Sequence, residues 1–323
     1  MFFLDDYFYN GDTVLKILHQ YERDLKRSDN EMDIAHAMTI RQLINLLEQN
    51  HFLSSQSQRI RELYKHMANE YPFLAFIFKG RIKSVIRVEE KFNGYILTYF
   101  YNHYKKNKCF PELAPLLTKV KSFKDLIAYR IVLSIPKCHI GPNDSQEEIE
   151  LKYLYQIADM LPDFLKARGF IPQVDDASFP SKRLHSKVRR YYRDYIENPS
   201  ASGYRSLHIT LYDQMSKSYL EIQLRTKSMD DFAEIGEANH LGYEQKQEME
   251  RSRDDQKELM EHPLYFEAYQ RLSRLQNLDL SKLDVNMFGA INNQLVNDGC
   301  GLYKGRGILP LEHLSRFQND RID

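Results

Sequence analysis

Two segments of the chain combine side chains that suit a nucleotide site. Residues 203–208 read Gly-Tyr-Arg-Ser-Leu-His, and residues 220–226 read Leu-Glu-Ile-Gln-Leu-Arg-Thr. Because a strand alternates its side chains between two faces, Glu221, Gln223 and Arg225 should share one face while the apolar residues between them pack into a core. A carboxylate, an amide and a guanidinium on one wall suit phosphates and a metal. An ordinary amphipathic strand with one solvated face explains the second run equally well when that run is taken alone.

Two carboxylates, Asp125 and Glu221, lie near the ends of predicted strands. They could jointly hold a divalent metal if those strands are neighbours, since Mg²⁺ prefers oxygen ligands shared with substrate phosphates. Taken singly, each is more often a helix cap or a surface ion-pair partner. Four cations accompany them: Arg81, Lys83, Lys91 and Arg130. Phosphoryl transfer depends mostly on positioning and charge neutralisation, so the set suits that chemistry, although spacing alone does not establish it.

The composition restricts the function classes. A chain of 323 residues can form one large domain or one catalytic domain with helical additions. Its formal net charge is zero, so contact with a nucleic-acid backbone would need a local basic patch. The three cysteines lack metal-ligand spacing and indicate free thiols in a reducing cytoplasm. We see no signal peptide and no apolar run near the ~20 residues that span a bilayer, so we expect a soluble cytoplasmic protein without membrane contact.

Helical and strand-like patterns alternate along the chain, which predicts an α/β (α+β) fold with a mixed β-sheet flanked by helices. Helices predicted over 12–26, 31–49 and 58–70, the first capped by Asp12, would form a helical N-terminal extension, residues 1–72. The domain with the sheet should span 73–250. A helical and irregular C-terminal extension, 251–323, should follow.

Within the central domain, an apolar run over 73–78 precedes basic residues and a helix that continues through Lys91 to about 106. Such a helix N-terminus favours anions. The remaining predicted elements are a strand over 129–135, a helix over 145–166, a hairpin of strands 206–213 and 218–226, and helices from Ser228 and over 264–276. Between Gly169 and Tyr204 we predict a loop, functional or disordered, that carries a basic cluster. Its members are Lys182, Arg183, Lys187, Arg189, Arg190 and Arg193.

Several runs occur in a fixed order. They are Gly80-Arg81-Ile82-Lys83-Ser84 with Lys91 seven residues later, Asp125 to Arg130, Asp194-Tyr195-Ile196 followed by 203–208, Glu221 to Thr226, and Met229 to Tyr243. Their order and approximate spacing resemble the RelA/SpoT-type alarmone (ppGpp) synthetase domain, in its small monofunctional or toxic branch. The resemblance covers roughly residues 75–245. Because several motifs keep their register, it is more specific than any single motif.

The resemblance implies a nucleotidyltransferase-like sheet and a pyrophosphokinase activity. Such an enzyme transfers the β,γ-pyrophosphate of ATP to the 3′-hydroxyl of GDP or GTP and makes (p)ppGpp. The family pattern implies these donor-side roles: adenine sandwiched by Arg81 and Arg130, and ATP phosphates held by Lys83 and Lys91. It also implies that Asp125 and Glu221 bind Mg²⁺, with Glu221 close enough to accept the proton of the attacking hydroxyl.

On the acceptor side, the resemblance implies that Tyr204 stacks on the base while His208 and Gln223 help to hold acceptor and phosphates. It also implies that the end of the basic cluster, through Arg193 and Asp194, is the acceptor-side loop, with Arg193 among the acceptor-binding residues. Without the resemblance, Tyr204 is more readily a packed hairpin residue, and a lone histidine more often makes a structural hydrogen bond. The family pattern favours a functional role for His208 and leaves His240 structural.

The sequence departs from the family pattern at some positions. The acceptor loop, residues 198–203, carries serine where relatives often place lysine, which removes a cation, and Ala128 replaces a common glycine. We find no His-Asp hydrolase motif and no regulatory domains, so we expect synthesis of the product without its degradation. Three hypotheses stay open: a small alarmone synthetase of a bacterial cytoplasm, a toxic relative that pyrophosphorylates the 3′ end of tRNA, and a catalytically inactive nucleotide-binding interaction module. A homo-oligomer or an antitoxin partner also stays open.

Overall fold

A mixed β-sheet forms the centre of the molecule. The computed structural model describes residues 1–10, 12–48, 50–120, 123–175, 181–200, 203–235, 257–278 and 292–297. The strands are β1 (Ala75–Ile82), β2 (Ile127–Ser134), β3 (Phe170–Pro172), β4 (Tyr192–Asp194), β5 (Leu207–Asp213), β6 (Ser218–Thr226) and β7 (Asn292–Asn297). They lie in the order β3-β5-β6-β2-β1-β7, with β4 beside β5. Strands β2 and β6 run parallel, and the other pairs run antiparallel.

Helices flank this sheet, so the predicted mixed α+β class is confirmed. They are α1 (Val14–Lys26), α2 (Glu31–Glu48), α3 (Asn50–Glu70), α4 (Val85–Asn107), α5 (Ala114–Val120), α6 (Gln146–Lys166), α7 (Lys227–Ile235) and α8 (Pro263–Gln276). In the part of the chain that the structure describes, no helix is long and apolar enough to pass through a membrane.

The three predicted N-terminal helices are present as α1, α2 and α3, although α3 begins earlier than predicted. The predicted cap of α1 is wrong. Thr13 has extended backbone angles (φ −69°, ψ 153°), and its hydroxyl accepts a hydrogen bond from the backbone N–H of Lys16 at 3.5 Å. Asp12 instead lies 3.5 Å from the Lys16 ammonium. The domain boundaries at residues 72 and 250 stay predictions.

A buried polar cluster joins the N-terminal helices to α4. Glu89 of α4 accepts a hydrogen bond from the Tyr21 hydroxyl at 3.1 Å, and its other oxygen lies 2.7 Å from Nε2 of His36. The His36 ring stacks on Phe92 with centroids 4.0 Å apart. Glu89, His36 and Phe92 have no exposed surface. Helix α4 is therefore fixed on its inner side by helices α1 and α2.

The segment predicted as one loop, residues 169–204, contains strands β3 and β4 and a short 3-10 helix. Tyr192 of β4 is almost fully buried and pairs with Ile209 of β5. A strand of three residues is too short to show the alternation of apolar and polar side chains. The surrounding prolines and basic residues favour the prediction of a loop instead. The other cations of the basic cluster are exposed, as expected for a solvated segment; they are Lys182, Arg183, Lys187, Arg189 and Arg190.

Strand β1 is longer than its apolar run. Lys79 and Arg81 continue the strand, and only Lys83 lies in the turn before α4. Strand β7, which the sequence analysis did not predict, pairs with β1 from Phe76 to Arg81 on the side opposite β2. The strand that carries these cations is therefore hydrogen-bonded on both sides.

Candidate active site

The alternation predicted for strand β6 is confirmed. Leu220, Ile222 and Leu224 have no exposed surface. The intervening Glu221, Gln223 and Arg225 interact with one another, since Gln223 donates to Glu221 at 2.7 Å and accepts from Arg225 at 2.8 Å. The polar face of β6 is therefore an ordered chain of hydrogen bonds and not a solvated surface.

Strand pairing extends this polar face across the sheet. Lys79 of β1 is the Cα partner of Arg130 of β2, and Arg130 is in turn the partner of Gln223. On the other side, Gln223 pairs with His208 of β5, and His208 pairs with Arg193 of β4. Residues directly opposite one another on neighbouring strands share a face. A row of polar residues therefore crosses five strands, and it unites donor-side and acceptor-side residues predicted from separate motifs.

Glu221 lies beside this row, in register with Ala128 of β2. Its Oε2 accepts a hydrogen bond from Nη2 of Arg193 at 2.7 Å and lies 3.3 Å from Nδ1 of His208. Burial by itself raises the pKa of Glu221, but His208, Arg193 and the Gln223 amide outweigh burial and hold that pKa far below its usual value. Glu221 is therefore an ionised carboxylate at neutral pH.

Asp125 lies immediately before β2 and is held by two lysines. One oxygen accepts from the Lys83 ammonium at 2.5 Å, and the other pairs with Lys91 of α4. The backbone N–H of Lys83 also donates to the carbonyl of Leu126 at 2.9 Å, which ties the end of β1 to this turn. Ser84 caps α4 with its hydroxyl, so the helix that carries Lys91 begins directly after Lys83. Burial raises the pKa of Asp125, but the two lysines outweigh it and lower that pKa below its usual value.

The two carboxylates lie at the same end of two neighbouring parallel strands. Ile127, the first residue of β2, pairs with Leu220 of β6. Asp125 lies two residues before Ile127, and Glu221 lies one residue after Leu220 on the neighbouring strand. Burial lowers the pKa of Lys83, and both Asp125 and Glu221 act against that effect. The Lys83 ammonium therefore interacts electrostatically with both carboxylates. The condition set by the sequence, that the strands be neighbours, is met.

The described residues contain no group of three or more His, Cys, Asp or Glu side chains arranged to hold a metal ion. Mg²⁺ does not require such a group, because it commonly binds one or two carboxylates together with substrate phosphates and water. Two ionised carboxylates, Asp125 and Glu221, beside Lys83 and Lys91 fit that mode of binding.

Arg130, which is predicted on the donor side, pairs through Nη1 with Asp230 of α7 at 3.1 Å. Lys79 lies 3.1 Å from the same carboxylate. Arg81 lies on β1 in register with Ala128. Lys79 and Asp230 were missed as site residues. The spacing of Lys79 and Arg81, two positions apart in a strand, is a signal that could have identified the lysine.

Tyr204 and His208, both predicted on the acceptor side, form one cluster with Arg225. The Tyr204 hydroxyl lies 2.9 Å from Nε2 of His208 and accepts a hydrogen bond from Arg225, whose guanidinium carbon lies 4.9 Å from the centre of the tyrosine ring. Gly203 precedes this tyrosine with φ 76°, a conformation that residues with a side chain rarely adopt. His208 thus links Tyr204 to Glu221. Residues 201–202 of the acceptor loop and His240 lie outside the described residues.

Tyr95 of α4 is a further neighbour that the sequence did not reveal. Burial raises the pKa of its phenol, as do Asp125 and Glu221, while Lys83 and Arg193 oppose them. Its ring lies 5.4 Å from the Lys91 ammonium. A tyrosine one helical turn after Lys91 therefore lies among the charges of both halves of the site.

Comparison with known proteins gives a match to one family model. The model, described as a region found in RelA / SpoT proteins, matches residues 80–248. The GTP pyrophosphokinase rsh of Brucella ovis is 34% identical over 88 residues, 26% of this chain and 12% of that protein. The GTP pyrophosphokinase of Haemophilus influenzae is 35% identical over 88 residues, again 26% of this chain and 12% of that protein. The match thus spans only 12% of the length of these curated relatives.

Among solved structures, the small alarmone synthetase 1 of Bacillus subtilis is similar at 19% identity and a TM-score of 0.31, over 71% of this chain and 97% of that one.

Proposed function

Because this chain belongs to the RelA/SpoT family, whose model matches residues 80–248, we propose that it is an ATP-dependent pyrophosphokinase that acts on GDP or GTP. The observation that carries the proposal is the pair of ionised carboxylates, Asp125 and Glu221, at the same end of the parallel strands β2 and β6. Cations flank both carboxylates, as a site for polyphosphates requires.

The proposed reaction joins the β-phosphorus of ATP to the 3′ oxygen of the guanosine nucleotide. A new P–O bond forms there, the bond from the β-phosphorus to the α,β-bridging oxygen breaks, and AMP leaves. The proton of the 3′-hydroxyl passes to Glu221 or to water. Because the pKa of Glu221 is lowered, Glu221 is a weak base, and positioning must supply most of the rate acceleration.

The donor nucleotide would bind along β1, β2 and the start of α4. Lys83 and Lys91 would exchange part of their contact with Asp125 for the phosphates of ATP, which they neutralise. Arg130, together with Arg81, would stack on the adenine ring, since a guanidinium plane packs well against a base.

Asp125 and Glu221 would hold Mg²⁺ together with phosphate oxygens of ATP. When bound, the ion would neutralise negative charge on the phosphates during transfer. In the described structure the lysines and Arg193 occupy the oxygens of these carboxylates, so binding of Mg²⁺ with nucleotide would redistribute those contacts.

The acceptor nucleotide would bind along β4, β5 and β6. Tyr204 offers a flat ring whose hydroxyl is held by His208 and Arg225, so the ring is oriented before a base stacks on it. Gln223 and Arg193 flank Glu221 and would hold acceptor and phosphates close to the carboxylate.

One assay tests the proposal. Purified protein is incubated with Mg²⁺ and γ-labelled ATP, with GDP, GTP, ATP or deacylated tRNA offered as acceptor. Label on a guanosine nucleotide supports the proposal, and omission of Mg²⁺ should abolish the transfer.

Glu221→Gln should lose at least ~10²-fold in rate while ATP still binds, because it removes a charge that positions the reacting groups. Glu148→Gln, on an exposed residue of α6, is the matched control and should keep the wild-type rate. Wild-type turnover in Glu221→Gln would remove that residue from the mechanism.

A second candidate acceptor is the 3′ end of tRNA. The observation that favours it is the exposed group of cations from Lys182 to Arg190, which leads directly into β4 and Arg193. Label on RNA in the same assay would support this acceptor. An absence of transfer to every acceptor would instead indicate a nucleotide-binding module without activity.

A further inference from the structure

Asp230 collects three cations on one buried carboxylate. It lies in the first turn of α7, directly after β6, and its side chain is 4% exposed. Oδ1 lies 3.1 Å from Nη1 of Arg130 and 3.1 Å from Nη1 of Arg225, while Oδ2 lies 3.1 Å from the Lys79 ammonium. Its three partners come from three neighbouring strands, β1, β2 and β6.

The two arginines lead from this carboxylate to different halves of the site. Arg130 stands in the row of polar residues on the donor side. Arg225 uses its second terminal nitrogen, Nη2, to donate to Gln223 at 2.8 Å and to the Tyr204 hydroxyl, both on the acceptor side. One carboxylate therefore holds a donor-side and an acceptor-side guanidinium at the same time.

We propose that Asp230 is a positioning residue that orients Arg130 toward the donor nucleotide and, through Arg225, orients Tyr204 and Gln223 toward the acceptor. This inference rests on the proposed function. Two guanidinium groups that share one side of a sheet repel each other unless an anion lies between them, and a fixed carboxylate also sets the direction of their hydrogen bonds.

The electrostatics of Asp230 agree with this geometry. Burial raises the pKa of the carboxyl, but Arg130, Lys79 and Arg225 outweigh burial and lower that pKa below its usual value. The carboxylate thus stays charged at neutral pH and keeps both arginines paired.

The first experiment compares two adjacent aspartates. Asp230→Asn removes the shared charge and keeps the side-chain volume. Asp231→Asn is the matched control, since Asp231 is half exposed and pairs with Lys227 one turn earlier on the same helix. We expect Asp230→Asn to weaken the binding of a non-hydrolysable ATP analogue and of GDP, each measured separately by calorimetry, by about tenfold or more. Asp231→Asn should bind both like the wild type. Wild-type affinities in a folded Asp230→Asn variant would overturn the proposal.

If the ion pairs of Asp230 were merely structural, their loss would weaken the binding of both ligands by the same factor with or without the Tyr204 hydroxyl. The double variant separates the two roles. Tyr204→Phe removes the hydroxyl through which Arg225 acts on the acceptor side. If Asp230 acts through Arg225, the loss of GDP affinity caused by Asp230→Asn should shrink in the Tyr204→Phe background, while the loss of affinity for the ATP analogue should persist. Fully additive losses for GDP would overturn the proposed action of Asp230 on Tyr204.

If Asp230→Asn does not fold, Asp230→Glu keeps the charge and moves it by one methylene group. We then expect weaker binding of both ligands than in the wild type, and unchanged affinities would overturn the inference. Its failure is distinct from failure of the proposed function. Failure of the proposed function would appear as absence of pyrophosphate transfer by the wild type. Failure of this inference would appear as unchanged ligand binding in the Asp230 variants.

Discussion

Glu89 and Glu221 are two buried glutamates that each lie against a histidine, but the rest of their surroundings differ. Glu89 lies 2.7 Å from His36 and accepts from Tyr21 inside a helix interface with no exposed surface. Glu221 lies 3.3 Å from His208 and accepts from Arg193, whose side chain is 32% exposed. Solvent therefore reaches one partner of Glu221, the Arg193 guanidinium, whereas Tyr21 and His36, the partners of Glu89, are fully buried.

This difference indicates how one chemistry can serve two purposes. A carboxylate whose partners are sealed contributes to stability, because nothing replaces a partner that is lost. A carboxylate whose partners are partly solvated can exchange them for a metal or phosphate at a smaller cost. The comparison therefore predicts that variants at the two positions affect different measurements.

The largest effect on stability is expected for Glu89→Gln. The change keeps the side-chain volume but removes the negative charge. Burial raises the pKa of the Glu89 carboxyl, but His36 and Arg271 outweigh burial and lower that pKa below its usual value. Loss of one member of a buried pair should reduce the free energy of unfolding by about 3 kcal/mol. Urea denaturation would measure the change. Glu90→Gln is the neighbouring control, since Glu90 is partly exposed and pairs with Arg87. Equal losses in the two variants would contradict the assignment of Glu89 to the sealed interface.

A smaller loss of stability is expected for Glu221→Gln, about 1 kcal/mol, because the Arg193 guanidinium can regain water and the new amide can still accept hydrogen bonds. The same urea titration measures it, alongside the loss in rate expected above. A loss as large as that of Glu89→Gln would mean that Glu221 is mainly a structural residue.

Both glutamates should make the free energy of unfolding depend on pH in the acidic range. Each has a pKa lowered in the folded state, so the stability that each contributes is present above the ordinary glutamate pKa of 4.5 and is lost as pH falls through the lower folded value. The free energy of unfolding should therefore decrease below about pH 4.5 in the wild type. Each Glu→Gln variant should show a flatter decrease. An unchanged slope in one variant would indicate that its glutamate is not ionised in the folded protein.

The smallest effect is expected for Tyr204→Phe. The ring that would stack on the acceptor base remains, while the hydroxyl contacts with His208 and Arg225 are lost. The KM for the guanosine nucleotide should rise roughly 3- to 10-fold, and the KM for ATP should not change. Tyr99→Phe is a control on α4, where the hydroxyl donates to the Glu112 carbonyl. A rise in the KM for ATP alone would place Tyr204 on the wrong side of the site.

Part of this arrangement could be predicted from the sequence because local periodicity carries the information. The alternation around Glu221 predicts a strand and its polar face, and the apolar spacing of 12–26 and 31–49 predicts helices. Those predictions are confirmed by the fold. The roles assigned to the individual site residues stay predictions.

The remainder depends on register and tertiary contact. Nothing local indicates that Lys79, Arg130, Gln223 and His208 align across four strands, because register is set by pairing between distant segments. Asp230 lies in the first turn of the helix predicted from Ser228, where the local sequence indicates only a charge that favours the helix dipole. Its contacts with three strands arise because α7 begins directly after β6.

The parallel pairing of β2 with β6 has a consequence for how the protein reaches its working form. Ala128 and Glu221 meet only after a long intervening stretch of chain has been brought round, and such non-local pairing is slow compared with the formation of single helices. On refolding from denaturant, helical circular dichroism should therefore recover before catalytic turnover. A nascent chain would acquire most of its helices before Asp125 and Glu221 are brought onto neighbouring strands.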